Sequence, residues 1–377
     1  MISLVAGTRP NFMKVAPVWR ALHARGIATR LIHTGQHFDA AMSDVFFRDL
    51  GIPEPDTRLH VGGGTHAEQT AAVLVGVEKE LLAHRPRALV VVGDVTSTMA
   101  AALSAAKLGV PVVHVEAGLR SRDWTMPEEI HRVVTDRIAD LLLTPSRDAD
   151  ENLAAEGVAA ERVVFVGNVM IDSLHWARER PTDALARFGL EAQHYALVTL
   201  HRPANVDTRE AMGAMLEALA TIASRVPVLF PVHPRTVARA ESFGLSGRLR
   251  TLAGLRVSEP LGYNDFTTLL ASAQLVATDS GGIQEESTAL GIPCLTLRES
   301  TERPVTVTEG TNVIVGMDGG AIAREVERIQ SGQFKRGRAP EGWDGRAAER
   351  VAEAIERFLG GVPGARAAGV QGRPPVP

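Results

Sequence analysis

Cysteine is almost absent from this 377-residue chain: Cys294 stands alone, so neither a disulfide framework nor a cysteine-based zinc cluster can form within one chain. Aromatic residues make up only 5 %, and neither sign of charge dominates, with 40 Lys plus Arg against 44 Asp plus Glu and a net charge of −4. That balance gives no strong field toward nucleic acid or an anionic membrane. Long hydrophobic runs are missing as well. The longest, such as residues 88–92, are strand-sized and fall far short of the ~20 residues of a membrane helix. The apolar opening, residues 1–6, is too short for a signal h-region, and Arg9 interrupts it. What is present is ordinary globular material, 45 % hydrophobic and 22 % charged, which excludes disorder, a collagen-like repeat and a coiled coil. The chain reads as a soluble, cytoplasmic protein that binds neither nucleic acid nor membrane.

Short runs of Val, Ile, Leu and Ala recur at residues 2–6, 88–92, 110–115, 139–143, 163–166, 195–200, 226–232, 275–277 and 292–297. Longer amphipathic stretches, such as 67–83 and 209–224, lie between them. Continuous apolar runs mark strands buried on both faces, and strand alternating with helix marks parallel sheets covered by helices. The expected class is therefore α/β, with two doubly wound domains and a cleft between them. Helix followed by Arg180-Pro181-Thr182-Asp183, before a fresh strand at Tyr195, places the junction near 170–190. The expected domains are 1–170 and 171–358, with a flexible Gly-, Pro- and Ala-rich tail over 359–377.

Polar residues fall just after the expected strands. Arg9, Asp94 and Glu116 do so in the first half, and His201, His233 and Asp279-Ser280 in the second. In open α/β sheets the carboxyl ends of strands border the ligand crevice. In Asp279-Ser280-Gly281-Gly282, a strand leads into a helix start whose free N–H groups and dipole suit a phosphate or diphosphate. Glu285 and Glu286 follow about a turn later, where a carboxylate can accept from sugar hydroxyls. The alternative is a plain N-cap, with the glutamates complementing the dipole. Arg9 and Lys14 would point to the crevice mouth and neutralise a diphosphate; a surface charge pair is the alternative. Asp94, Glu116 and Glu128 are three carboxylates within 35 residues. Converging carboxylates raise one another's pKa, one route to a general acid and a general base, and His201 adds a group that titrates near neutrality. His33 and His37 fall around Gly35 without a neighbouring ligand, so no metal site is expected there. Neither a dinucleotide fingerprint nor a P-loop occurs at a strand–helix junction.

At these motifs the sequence resembles the non-hydrolysing UDP-N-acetylglucosamine 2-epimerases. The matching blocks are Gly7-Thr8-Arg9-Pro10 with Lys14, Gly93-Asp94, Val115-Glu116-Ala117-Gly118-Leu119-Arg120, Pro127-Glu128-Glu129, Gly167-Asn168 and His201-Arg202. Pro231-Val232-His233, residues 279–286 and Thr301-Glu302-Arg303-Pro304 complete the ordered set. The resemblance implies two Rossmann-like domains in the glycosyltransferase-B arrangement, usually a homodimer, and an isomerase that makes a cell-surface polysaccharide precursor. It implies elimination of UDP to 2-acetamidoglucal and re-addition, interconverting UDP-N-acetylglucosamine and UDP-N-acetylmannosamine. Catalytic positions map onto Asp94, Glu116, Glu128 and His201. Substrate-binding positions map onto Arg9, Lys14, His233 and Arg303 for phosphate, with Ser280, Gly281 and Gly282 at the helix start. Glu286 maps onto the ribose carboxylate and Phe266 onto the residue beside the uracil. No cofactor or metal is required in that family. The sequence departs from the pattern at Ala204, His131 and Val305, and has Gln36-His37-Phe38 where bacterial members carry the arginine associated with a second, activating UDP-sugar. The rival readings are a hydrolysing 2-epimerase and a glycosyltransferase of the same fold.

Overall fold

The computed structural model describes residues 1–35, 47 and 49–361, apart from the side chain of Arg9. Residues 36–38 of the departing motif, His37 among them, lie outside the described residues. The strands are β1 (Ile2–Ala6), β2 (Thr29–His33), β3 (Thr57–Arg58), β4 (Leu89–Val92), β5 (Val112–Val115), β6 (Leu141–Thr144) and β7 (Val163–Phe165), followed by β8 (Ala196–Thr199), β9 (Val228–Pro231), β10 (Leu255–Ser258), β11 (Leu275–Thr278), β12 (Cys294–Thr296) and β13 (Asn312–Ile314).

They form two sheets, ordered β3-β2-β1-β4-β5-β6-β7 and β10-β9-β8-β11-β12-β13. Every pairing is parallel. The inner strands are covered on both faces, so β1, β4 and β5 are buried along their whole length, which is why they read as unbroken apolar runs. In the first sheet the strand order reverses between β1 and β4, where Ser3 pairs with Leu89 and Leu4 with Val90. In the second it reverses between β8 and β11, in register from Ala196–Leu275 to Thr199–Thr278. Each sheet therefore has its own topological switch point.

The chain divides into two compact units, and the break falls between Val169 and Met170, at the early end of the expected junction. In the first unit the alanine-rich helix Thr96–Lys107 packs closely on the helix His66–Ala83, which begins with a capping box formed by Thr65 and Glu68. In the second, Met212, Met215, Leu216 and Leu219 of the helix Arg209–Ala223 enter the core beside Val228 and Phe230. One boundary differs from expectation. The helix Ala347–Gly361 belongs to the first unit, not to a second domain ending at 358. It packs on the helix Arg9–Ala24, with Arg25 donating to Glu356 at 2.7 Å, Arg87 to the Leu359 carbonyl at 2.8 Å and Arg350 to the Val166 carbonyl at 2.6 Å. Of the expected tail, residues 359–361 close this helix with Leu359 buried, and 362–377 lie outside the described residues. No described helix is long and apolar enough to cross a membrane.

Candidate active site

In the first unit, the turns that leave β1, β4 and β5 are joined by polar side chains at the switch point. Asn11, buried in the first turn of the helix Arg9–Ala24, accepts from the Gly7 and Thr8 backbone N–H groups at 3.1 Å each and donates to the Val92 carbonyl at 3.1 Å. One turn on, the buried Lys14 ammonium forms a close ion pair with Glu116. Glu116 ends β5 in the left-handed region, at φ 71°, an uncommon conformation for a residue with a side chain. Gly93 must be glycine here. Its φ is 65°, and a Cβ would stand 3.0 Å from Lys14 Nζ and 3.3 Å from Glu116 Oε2.

Asp94 follows Gly93 and is held from the helix Pro127–Ile138. Arg132 donates to its carboxylate at 2.9 Å, and His131 Nδ1 donates to its backbone carbonyl at 2.8 Å. Arg132 also bridges to buried Glu129, which accepts from the Ser121 and Arg122 backbone N–H groups at 2.9 and 2.8 Å. Burial works to raise the Glu129 pKa, but those N–H groups and Arg132 outweigh it and hold the carboxyl below its ordinary value. Glu128 is half-buried in the first turn of that helix, behind Pro127 at its first position,.

The second unit builds its edge differently. Asp279 ends β11 fully buried, and its carboxylate accepts from the backbone N–H groups of His201 and Arg202 at 2.9 and 2.8 Å and from Asn205 at 3.0 Å. His201 Nδ1 lies 3.2 Å from its other oxygen. Burial pushes this carboxyl up, but the bonds from His201, Arg202 and Asn205 prevail and hold it low. Asp279 thus clamps the β8 turn against β11, and the His201 ring rests 5.6 Å from that of His233. His233 is exposed at the N-cap of the helix Pro234–Ser242, where its Nδ1 accepts from the Arg235 N–H at 3.2 Å.

Ser280 is the N-cap of the helix Gly281–Leu290, and its side chain makes no capping bond. The first backbone donor bonded within this helix is Gln284 N, to the Ser280 carbonyl at 3.2 Å. Among the described residues, the N–H groups of Gly281, Gly282 and Ile283 are therefore the orphan donors of a helix start, beside its positive dipole end. A Cβ on Gly281 would strike Glu302 Oε1 at 2.8 Å, whereas one on Gly282 would find only Met170 Cε at 3.6 Å. Behind the turn, Arg303 donates to buried Glu285 at 2.5 Å, while Glu302 receives Arg298 at 2.8 Å and Arg202 at 3.3 Å. Burial opposes ionisation of Glu302, but Arg303, Arg298 and Arg202 bring its pKa down to about 2. Glu286 accepts from the Tyr263 hydroxyl at 2.8 Å in full burial. That burial pushes its carboxyl up to about 7; the Tyr263 bond works against the rise and the Glu285 charge adds to it.

All six strand-end positions read from the sequence leave carboxyl edges, Arg9, Asp94 and Glu116 from the first sheet and His201, His233 and Asp279 from the second. Four observations give the partners of these and other residues read from the sequence. Asp94 is matched with Arg132 and Glu116 with Lys14. Lys14, expected on a phosphate, is paired with Glu116. Glu286, expected on a ribose, is engaged by Tyr263, and Phe266 is partly buried against the core that includes Tyr195 and Leu269. His33 is a packed core ring, 4.9 Å from Phe12, whose burial lowers its pKa to about 4. Asn11, Arg132, Asn205 and Tyr263 escaped the sequence reading, because their partners lie up to 92 residues away along the chain.

A family model described as UDP-N-acetylglucosamine 2-epimerase matches residues 20–356. The chain belongs to that family. Among its relatives, the UDP-N-acetylglucosamine 2-epimerase of Methanocaldococcus jannaschii is 40 % identical over 93 % of this chain and 97 % of its own length. The UDP-2,3-diacetamido-2,3-dideoxy-D-glucuronate 2-epimerase of Pseudomonas aeruginosa is also 40 % identical, over 95 % of this chain and 99 % of its own. The crystal structure of the Methanocaldococcus jannaschii enzyme in complex with UDP-GlcNAc and UDP superposes with a TM-score of 0.88, at 39 % identity, over 94 % of this chain and 99 % of that one. The two Rossmann-like sheets are thus those of the UDP-GlcNAc 2-epimerases, the glycosyltransferase-B-like fold.

Proposed function

We propose that this protein interconverts UDP-N-acetylglucosamine and UDP-N-acetylmannosamine without releasing the free sugar. A base takes the C2 proton, the C1–O bond to UDP breaks, and 2-acetamidoglucal and UDP form. UDP then adds back at C1 while a proton reaches the other face of C2. The observation that carries this reading is the set Asp94, Glu116, Glu128 and His201, intact in a chain that belongs to the family. The C2 proton is weakly acidic, so its transfer needs groups held in place. Asp94, Glu116, Glu128 and His201 are assigned that work. The helix start at Ser280, Gly281 and Gly282, with Arg9, Lys14, His233 and Arg303, is assigned the diphosphate. Glu286 is assigned the ribose and Phe266 the uracil. A cytoplasmic homodimer belongs to the same reading.

Proton NMR of UDP-N-acetylglucosamine with the purified protein in D₂O, with no acceptor added, tests the proposal. The expected result is deuterium at C2 of both the recovered substrate and its UDP-linked epimer. Accumulation of free N-acetylmannosamine, or retention of the C2 proton, would overturn it. The equal similarity of the Pseudomonas aeruginosa relative favours one second reading, a diacetamido uronic acid as the sugar. Running that UDP-sugar in parallel separates the two by kcat/KM.

A further inference from the structure

His114 takes no part in the chemistry above, yet it interrupts the valines of β5 two residues before Glu116 and is fully buried. A buried polar ring is costly unless its nitrogens find partners. Both do. Nδ1 pairs with Asp136 Oδ1 at 2.6 Å, and Nε2 pairs with the Gly93 carbonyl at 2.8 Å. Asp136, 1 % exposed, also accepts from Arg120 at 2.7 Å and from the Gly118 backbone N–H at 3.1 Å. Arg120 is fixed in turn by two bonds of 2.7 Å to Glu156. Burial raises the Asp136 pKa, but His114 and Arg120 outweigh it and keep the group a carboxylate.

Each contact of this buried pair lands beside a group assigned to proton transfer. Gly93 immediately precedes Asp94, Gly118 follows Glu116 by two residues, and Asp136 rides on the helix whose first turn carries Glu128. We propose that His114 and Asp136 are positioning residues for the C2 proton transfers: the ring fixes the Gly93 carbonyl, and the pair locks the β4 turn, the β5 turn and the Glu128 helix into one frame. The proposal rests on the epimerase reading. It predicts that loosening the pair slows the chemical step and leaves UDP binding alone.

Two substitutions separate the two bonds. His114→Gln keeps a donor near the Nε2 position, toward Gly93, and His114→Asn keeps one near Nδ1, toward Asp136. A displacement of about 1 Å at a reacting group costs ~10²-fold in rate. The expected result is a ~10²-fold fall in kcat for His114→Asn, with KM and UDP affinity near wild type, and recovery of about tenfold or more in His114→Gln. Equal kcat in the two variants, or a loss of UDP affinity matching the loss of kcat, overturns the proposal. Should neither fold, Asp136→Asn carries the same test, and an unchanged kcat there overturns it equally. Wild-type protein run alongside keeps the outcomes distinct, because absent turnover in the wild type refutes the epimerase reading itself.

Discussion

At the carboxyl edge of the first sheet, charged side chains answer one another directly: Lys14 meets Glu116, Arg132 meets Asp94, and Arg120 and His114 meet Asp136 behind them. At the edge of the second sheet the buried carboxylate of Asp279 spends its bonds on the backbone of the β8 turn, and the neighbouring helix start keeps its first N–H groups open. Counted from each switch point, the strand order is the same over six strands, and the first sheet adds β7 at its edge. The chemistry on top is not. Proton transfer needs a few side chains fixed in direction, and mutual ion pairs supply that. A diphosphate needs several donors left unused, and a rigid turn into a helix supplies those. On the proposed reading, one fold, used twice, gives one edge that carries Asp94 and Glu116 for proton transfer and one whose open helix start takes phosphate.

The largest effect that would sharpen this contrast is on turnover. Glu116→Gln keeps size and some hydrogen bonding but cannot carry a proton through a carboxylate, so kcat is expected to fall by ~10²–10⁴-fold. Steady-state kinetics beside a melting curve checks it, and a stable variant with wild-type kcat would remove Glu116 from the chemistry. Next comes Arg303→Ala in the second unit. It removes the Arg303 ion pair from buried Glu285, which costs about 3–5 kcal/mol of stability, measurable by urea unfolding. A loss below about 1 kcal/mol would show that Glu285 is satisfied by other means.

A smaller effect is on pH dependence. The folded-state pKa of Glu286, about 7, lies above its ordinary value of 4.5, so the folded protein holds this proton where the unfolded chain has released it. Stability from this group is fully present below about 4.5 and is lost as pH rises through about 7, at no more than ~1.4 kcal/mol per pH unit. Glu286→Gln should flatten that part of the melting-temperature profile. An unchanged slope would mean that the group does not titrate in this window.

Much of this was legible in the sequence wherever burial is complete. The inner strands β1, β4, β5, β8 and β11 are apolar on both faces and announce themselves, and with them the polar residues at their ends. The edge strands β3 and β10 do not. Thr57–Arg58 and Leu255–Ser258 lie at sheet edges and are only partly buried, so exposed Arg256 breaks the run and no continuous apolar signal survives. The helix Ala347–Gly361 has a clear apolar face, but such a face does not say which unit it will cover. Ion pairing was equally hidden. Lys14 and Glu116 are 102 residues apart, and only the strand order brings them together. His114 did leave a signal, a single polar ring within the valines of β5.

Calorimetry with UDP on one substitution from each edge tests the division of labour most directly. A methyl group on Gly282 meets nothing closer than Met170 Cε at 3.6 Å, so Gly282→Ala should fold normally while crowding the open N–H groups. The account predicts that Gly282→Ala loses UDP affinity by about tenfold or more, in line with a charge-assisted hydrogen bond of roughly 1.5–3 kcal/mol, and that Glu116→Gln binds UDP like the wild type. Wild-type affinity in Gly282→Ala, together with weakened binding in Glu116→Gln, would contradict it.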